Sequence, residues 1–237
     1  MERSCLLGRG VSGATMTLSV LLVIALMACH TNLYADSCRV GPQADTTVTE
    51  AYPDMNYGTR GLLSVRWWGN ALARSYVSFE TDGLLPDGAT MDAAHLWLNN
   101  SASVGLPESQ VTVGVYDAAG PWDEHATTWM HQPGPETPPV PLDTNHFVAG
   151  ARRNWVAWDV TASWAEAPRL DFVFMDVAEC EDGWLIVDFY SREWHDAEQR
   201  PYLEVTYTPA EATPEPATWV LLACTGIAGA LARRRRK

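Results

Sequence analysis

Eleven tryptophans stand in a chain of 237 residues, and their placement is the first feature that could do chemistry. An indole ring offers a flat apolar face on which the C–H face of a pyranose can stack. Whether a ring is free to do so depends on the face of the element that carries it. Trp67 and Trp158 run in step with Val and Leu neighbours and read as core. Trp68, Trp97 and Trp155 fall on the alternate, more polar faces, and Trp184 and Trp194 stand at strand ends or in loops. These five are the candidate ligand-binding rings. Trp122 and Trp129 bracket Asp123-Glu124-His125 and read as structural.

Carboxylates are the second chemical resource. Asp176, Glu179, Glu181 and Asp182 crowd four of them into seven residues, an oxygen-rich segment suited to Ca²⁺, which takes 6–8 oxygen ligands. The glycine-centred spacing of a recognised calcium loop is missing, and calcium is the one cofactor the sequence brings into view. Acid–base catalysis needs groups brought together from separate elements. Asp123-Glu124-His125 and Glu193-Trp194-His195-Asp196 are each too compact for that, and Arg152, Arg153 and Arg192 sit in no motif. No catalytic residue is assigned.

The elements that must position these groups are strands. Leu63 and Val65, Val77 and Phe79, then Ala94, Leu96 and Leu98 alternate with polar neighbours. Val111, Val113 and Val115 repeat the pattern, followed by Val156, Trp158 and Val160, then Leu170–Val177. Leu185, Val187 and Phe189, then Leu203, Val205 and Tyr207, complete it. Turn residues interrupt at Asp54–Gly58, Asp82–Gly88, Gly105–Pro107 and the proline-rich stretch Gln132–Pro141. Only Thr161–Ala167 hints at a helical turn. Many short strands without helical partners indicate an all-β, two-sheet antiparallel β-sandwich, jelly-roll-like, over residues 36–209.

Charge narrows the partners. The formal net charge is −13, yet residues 36–213 hold nine arginines and 27 acids, a balance of −18. Such a body repels nucleic acid. It also repels an anionic polysaccharide unless cations bridge the two or a basic spot overrides the field.

The two ends are addresses. Arg3 and Arg9 precede an apolar run from Leu18 to Ala28, which a polar stretch ending Leu33-Tyr34-Ala35 follows. A basic start, a short apolar run and a small residue at the cut make residues 1–35 a signal peptide with a signal helix. At the other end, Thr213-Pro214-Glu215-Pro216 leads to Trp219–Ala232, four arginines and Lys237. The uncharged run covers about 24 Å as a helix, which snorkelling arginines extend towards the hydrocarbon thickness. A C-terminal transmembrane helix within residues 210–237, its basic end cytoplasmic, is expected. This tail resembles a PEP-CTERM sorting signal, in the triplet Pro214, Glu215 and Pro216, the small residues Ala223, Gly226, Ala228, Gly229 and Ala230, and the closing basic block. The resemblance implies an exosortase as processing partner. It also implies export across the inner membrane of a Gram-negative bacterium, a transient membrane anchor, and a cell-surface or extracellular destination. Of five cysteines, Cys5 and Cys29 leave with the signal and Cys224 lies in the tail. A disulfide between Cys38 and Cys180 is the expectation for the exported remainder.

The succession of blocks between residues 40 and 208 is similar to the DNRLRE domain family, also treated as a carbohydrate-binding module family. The matching pieces begin with Asp45-Thr46-Thr47-Val48, Asn56-Tyr57-Gly58, Tyr76-Val77-Ser78-Phe79 and Ala93–Leu98. They continue with Trp122-Asp123-Glu124, Asp159-Val160-Thr161, Phe189–Glu193 and Pro201–Val205. Gln132–Asn145 departs from the pattern as a proline-rich insertion. The resemblance implies a secreted polysaccharide-associated protein, and some members of the family resemble alginate-binding modules. The combined expectation is a non-catalytic polysaccharide binder. A matrix or adhesion protein that contacts other proteins is the alternative, and a polysaccharide lyase or hydrolase the second.

Overall fold

The computed structural model describes residues 35–66, 71–137, 139–150, 154–164, 168–178 and 185–210. Both terminal segments lie outside this set, with the sorting triplet. So do Trp67, Trp68, Glu179, Cys180, Glu181, Asp182 and Trp184.

Residues Ala35–Ala210 form one compact unit. Its strands are β1 (Asp36–Val40), β2 (Ala44–Thr49), β3 (Leu62–Val65), β4 (Ala73–Glu80), β5 (Thr90–Gly105) and β6 (Gln110–Asp117). They continue with β7 (Asp143–Val148), β8 (Trp155–Asp159), β9 (Arg169–Asp176), β10 (Leu185–Tyr190) and β11 (Tyr202–Thr208). A six-stranded sheet has the order β1-β11-β5-β10-β3, with β8 also on β5, and a five-stranded sheet has the order β2-β4-β9-β6-β7. Every pairing is antiparallel. Strands β3 to β10 nest in a jelly-roll order, with β3, β10, β5 and β8 facing β4, β9, β6 and β7. β1 and β11 extend one sheet, and β2 the other.

The inward rows read from the sequence make the core between the sheets, including Leu63, Val77, Phe79, Leu96, Val113, Phe172, Val187 and Leu203. Trp158 is its centre. The ring meets Phe174 at 5.2 Å and Phe189 at 5.7 Å edge-on and stacks on Phe147 at 6.3 Å. Its indole N–H donates to the Val113 carbonyl at 3.2 Å, so burial leaves no polar atom stranded.

Three strands carry little hydrophobic signal. β2 buries Asp45, Thr46, Thr47 and Thr49 beside the single aliphatic Val48, so period-two reading passes it over. β7 buries only Phe147, and β1 is an edge strand with no fully buried residue.

Two expectations fall wholly or partly outside the described residues. Among the described residues the only helical segments are three-residue 3-10 turns, Thr161–Ser163 and Ala197–Gln199, and no helix is long and apolar enough to cross a membrane. The signal and transmembrane helices fall outside the described residues and gain no support. Cys38 is a free cysteine, its Sγ against the Leu84 and Val205 carbonyls at 3.8 and 3.9 Å. It lies in the row of Val205 and Ala94. Cys180 lies outside the described residues, so the expected Cys38–Cys180 staple gains no support.

Candidate functional site

Leu203 and Val205 of β11 point into the core, so Tyr202 and Glu204 must point outward. Cross-strand register then sets the outer face of the six-stranded sheet. Tyr202 stands opposite Trp97, which stands opposite Ala157, while Trp155 pairs with Asn99 two residues along, on the same face. Tyr202 stacks on Trp97 at 5.9 Å and meets Trp155 edge-on at 5.1 Å. All three rings are half-buried. Two of the five sequence-selected tryptophans, Trp97 and Trp155, are thus brought together, joined by a tyrosine that the search for tryptophans overlooked.

Beside the rings lies an open groove of about 580 Å³, lined among others by Arg39, Trp155, Arg192, Glu198, Arg200 and Tyr202. Arg39 lies over the Tyr202 ring at 4.6 Å and pairs with Glu204 at 2.8 Å. Burial, the largest cause, raises the Tyr202 pKa above its ordinary value, with Arg39 opposing. Arg200 donates through Nε to the Trp194 carbonyl at 2.7 Å and has no carboxylate partner among the described residues. Three of the body's nine arginines therefore line one groove of an otherwise acidic surface.

Arg192 sits where four chain-distant blocks meet. Its Nε lies 2.7 Å from Glu193 Oε1 and 3.2 Å from Glu124 Oε1, and Nη1 donates to the Gln43 carbonyl. Its backbone N–H donates to Asp45 Oδ2 at 2.7 Å, and the Asp45 N–H donates to Glu124 Oε1 at 2.9 Å. Asn56 donates to the carbonyls of Glu124 and Thr127 at 2.7 and 2.8 Å. Gly58 is packed so closely that a Cβ there would overlap the Glu124 carbonyl oxygen. The blocks around Asp45, Asn56-Gly58, Glu124 and Ser191-Glu193 are thus one hydrogen-bonded cluster.

The electrostatics of this cluster follow from burial. Asp45 is 1% exposed, and desolvation pushes its carboxyl well above the usual range. The Arg192 N–H opposes that shift, and Glu193 and Glu124 add to it. For Arg192, burial works against the charge. The hydrogen bond to Glu193, with the fields of Glu124, Glu193 and Asp45, outweighs it, so the guanidinium pKa is raised. Oxygens of Asp45, Glu124 and Glu193 lie within 4.8 Å of one another, close enough to hold a cation. Arg192 supplies the positive charge at that place.

The remaining sequence-selected residues lie elsewhere. Trp194 stacks on Tyr190 at 4.3 Å and meets His195 at 4.4 Å, so its ring is engaged within the protein. Asp176 gives Oδ2 to buried Arg66 at 2.6 Å and Oδ1 to the Ala178 N–H at 3.1 Å. Arg66 makes this contact from a left-handed backbone, φ 66°. Trp122 is buried on the other sheet's outer face, against Tyr76 at 5.6 Å.

The described residues thus form a jelly-roll sandwich with aromatic rings and guanidinium groups beside an open groove on the outer face of one sheet. Residues 37–207 match Carbohydrate-binding module family 96, and the chain belongs to that family, under which the DNRLRE-like blocks fall. Residues 212–237 match the PEP-CTERM protein-sorting motif. No curated protein matches the chain.

Proposed function

We propose that the protein is a non-catalytic surface module that binds an acidic polysaccharide in the groove lined by Arg39, Arg192 and Arg200, with Trp155 and Tyr202 as stacking rings. The family and the sorting motif support the coarse reading, a polysaccharide-binding protein addressed to the cell surface through an exosortase. One observation carries the finer one. A third of the arginines of a strongly acidic body converge on the groove that also holds the aromatic rings. Guanidinium groups pair with carboxylate or sulfate in a fixed geometry. Arg39 and Arg192 already carry carboxylate partners, so Arg200, which has none among the described residues, supplies the uncompensated positive charge that opposes the repulsive field at short range. Binding then requires no bridging calcium.

Affinity electrophoresis against neutral, carboxylated and sulfated glycans, with and without Ca²⁺, tests this. Acidic glycans should retard the protein equally in chelator, and Trp155→Ala and Arg200→Ala should each weaken retardation by roughly tenfold. Retardation by neutral glycans only, or by acidic glycans only with Ca²⁺, would overturn the acidic-groove reading. No retardation by any glycan would favour a matrix protein that contacts other proteins.

A further inference from the structure

Arg192 differs from the other two arginines of the groove. Arg39 has an exposed side chain held by one surface carboxylate, and Arg200 hangs from a backbone carbonyl. Arg192 is instead gripped on several sides by groups from separate parts of the chain. Glu193 and Glu124 take Nε, the Gln43 carbonyl takes Nη1, and Asp45 takes the backbone N–H. Glu124 is in turn fixed by the Asp45 N–H, by the Asn56 bond to its backbone carbonyl and by the close approach of Gly58. Ser191 Oγ, 3.2 Å from Glu193 Oε2, steadies the second carboxylate.

Two carboxylates beside a ligand-binding arginine oppose an acidic ligand by charge alone. A guanidinium held in one orientation, by contrast, loses less side-chain freedom when the ligand arrives. We infer that Glu124 and Glu193 are positioning residues, which hold the Arg192 guanidinium in the groove ready to meet an acidic group of the glycan. The inference rests on the groove reading above and adds to it. Part of the groove's specificity is set by residues that need not touch the sugar.

The sign of one effect decides between positioning and charge. Glu124→Ala and Glu193→Ala each remove a negative charge next to the groove, so electrostatics alone makes an acidic ligand bind more tightly. Positioning makes it bind more weakly, by roughly fivefold. Titration of the full chain with a uronic-acid hexasaccharide, followed by tryptophan fluorescence, reads the change. The same substitutions are repeated with Arg192→Ala, where positioning leaves them nothing to hold. Weakening that disappears in the Arg192→Ala background supports the inference. Unchanged or tighter binding by both variants overturns it, as does weakening that persists without Arg192. Where Glu124→Ala does not fold, Glu193→Ala decides alone. Trp155→Ala and Arg200→Ala, measured alongside, separate the two levels. If these bind like the wild type the groove reading itself falls, whereas their loss with normal Glu124→Ala and Glu193→Ala binding sinks only the positioning role.

Discussion

The two outer faces of the sandwich start from similar material and end differently. On the five-stranded sheet, Val48, Tyr76, Tyr116, Val173 and Met175 make an apolar outer face, and Trp122 closes over it to form a second small core. The chain after β6 is tied down there. Tyr76 Oη bonds Gln132 Oε1 at 2.9 Å and accepts the Gly134 N–H at 3.2 Å, and Ala119 N–H donates to the Gly134 carbonyl at 3.0 Å. Arg169 lies over the Trp122 ring at 5.6 Å. On the six-stranded sheet, Trp97, Trp155 and Tyr202 form a comparable aromatic group but remain half-buried beside an open groove. The lesson is that aromatic content does not mark a ligand face. A covering loop turns rings into core, and its absence leaves them for a partner.

That contrast predicts which substitutions damage stability and which damage binding. The largest effect belongs to the covered face. Trp122→Ala should cost about 3–5 kcal/mol in urea unfolding, with the remaining folded protein binding glycan normally. Gly58→Ala comes next, because its Cβ must push Glu124 aside. A loss of about 2–3 kcal/mol is expected, and a stability within 0.5 kcal/mol of wild type would show that the close contact relaxes freely. Trp155→Ala, on the open face, should leave stability within about 1.5 kcal/mol while affinity falls by roughly tenfold. A stability loss as large as that of Trp122→Ala would erase the distinction between the faces.

Subtler effects concern charge. Asp45 has a raised pKa in the fold, so the native state holds its proton more tightly than the unfolded chain. The stability this gives is present below the ordinary carboxylate pKa and is lost as pH rises through the folded value. Asp45→Asn removes that dependence and keeps an acceptor for the Arg192 N–H. Its Tm should therefore fall less steeply between pH 4 and pH 8, and a slope equal to wild type would rule Asp45 out as the source. The smallest change is expected for Arg39→Ala. Its pair with Glu204 is solvent-exposed, so stability should move by less than about 0.5 kcal/mol, with weaker acidic-glycan binding at low salt as the measurable consequence.

Much of this was legible in the chain. Val111, Val113 and Val115, or Leu185, Val187 and Phe189, announce strands because one buried face imposes period two. The same arithmetic placed Trp158 inside and Trp97 and Trp155 outside. It failed for β2, where buried Thr47 bonds to Ser75 and accepts the Ser64 N–H instead of presenting an aliphatic group. For Trp194, whose partner Tyr190 lies four residues earlier, position in a loop said nothing about engagement.

What the sequence alone determined is therefore the all-β class, the inward rows, the acidic balance and the family blocks, since each depends on residue type and local spacing. Tertiary structure decided the rest. It gathered Asp45, Gly58, Glu124 and Arg192 into one cluster, closed a loop over Trp122, and lined one groove with three arginines. Those outcomes depend on which sheet each strand joins and where each loop crosses, and long-range packing fixes both.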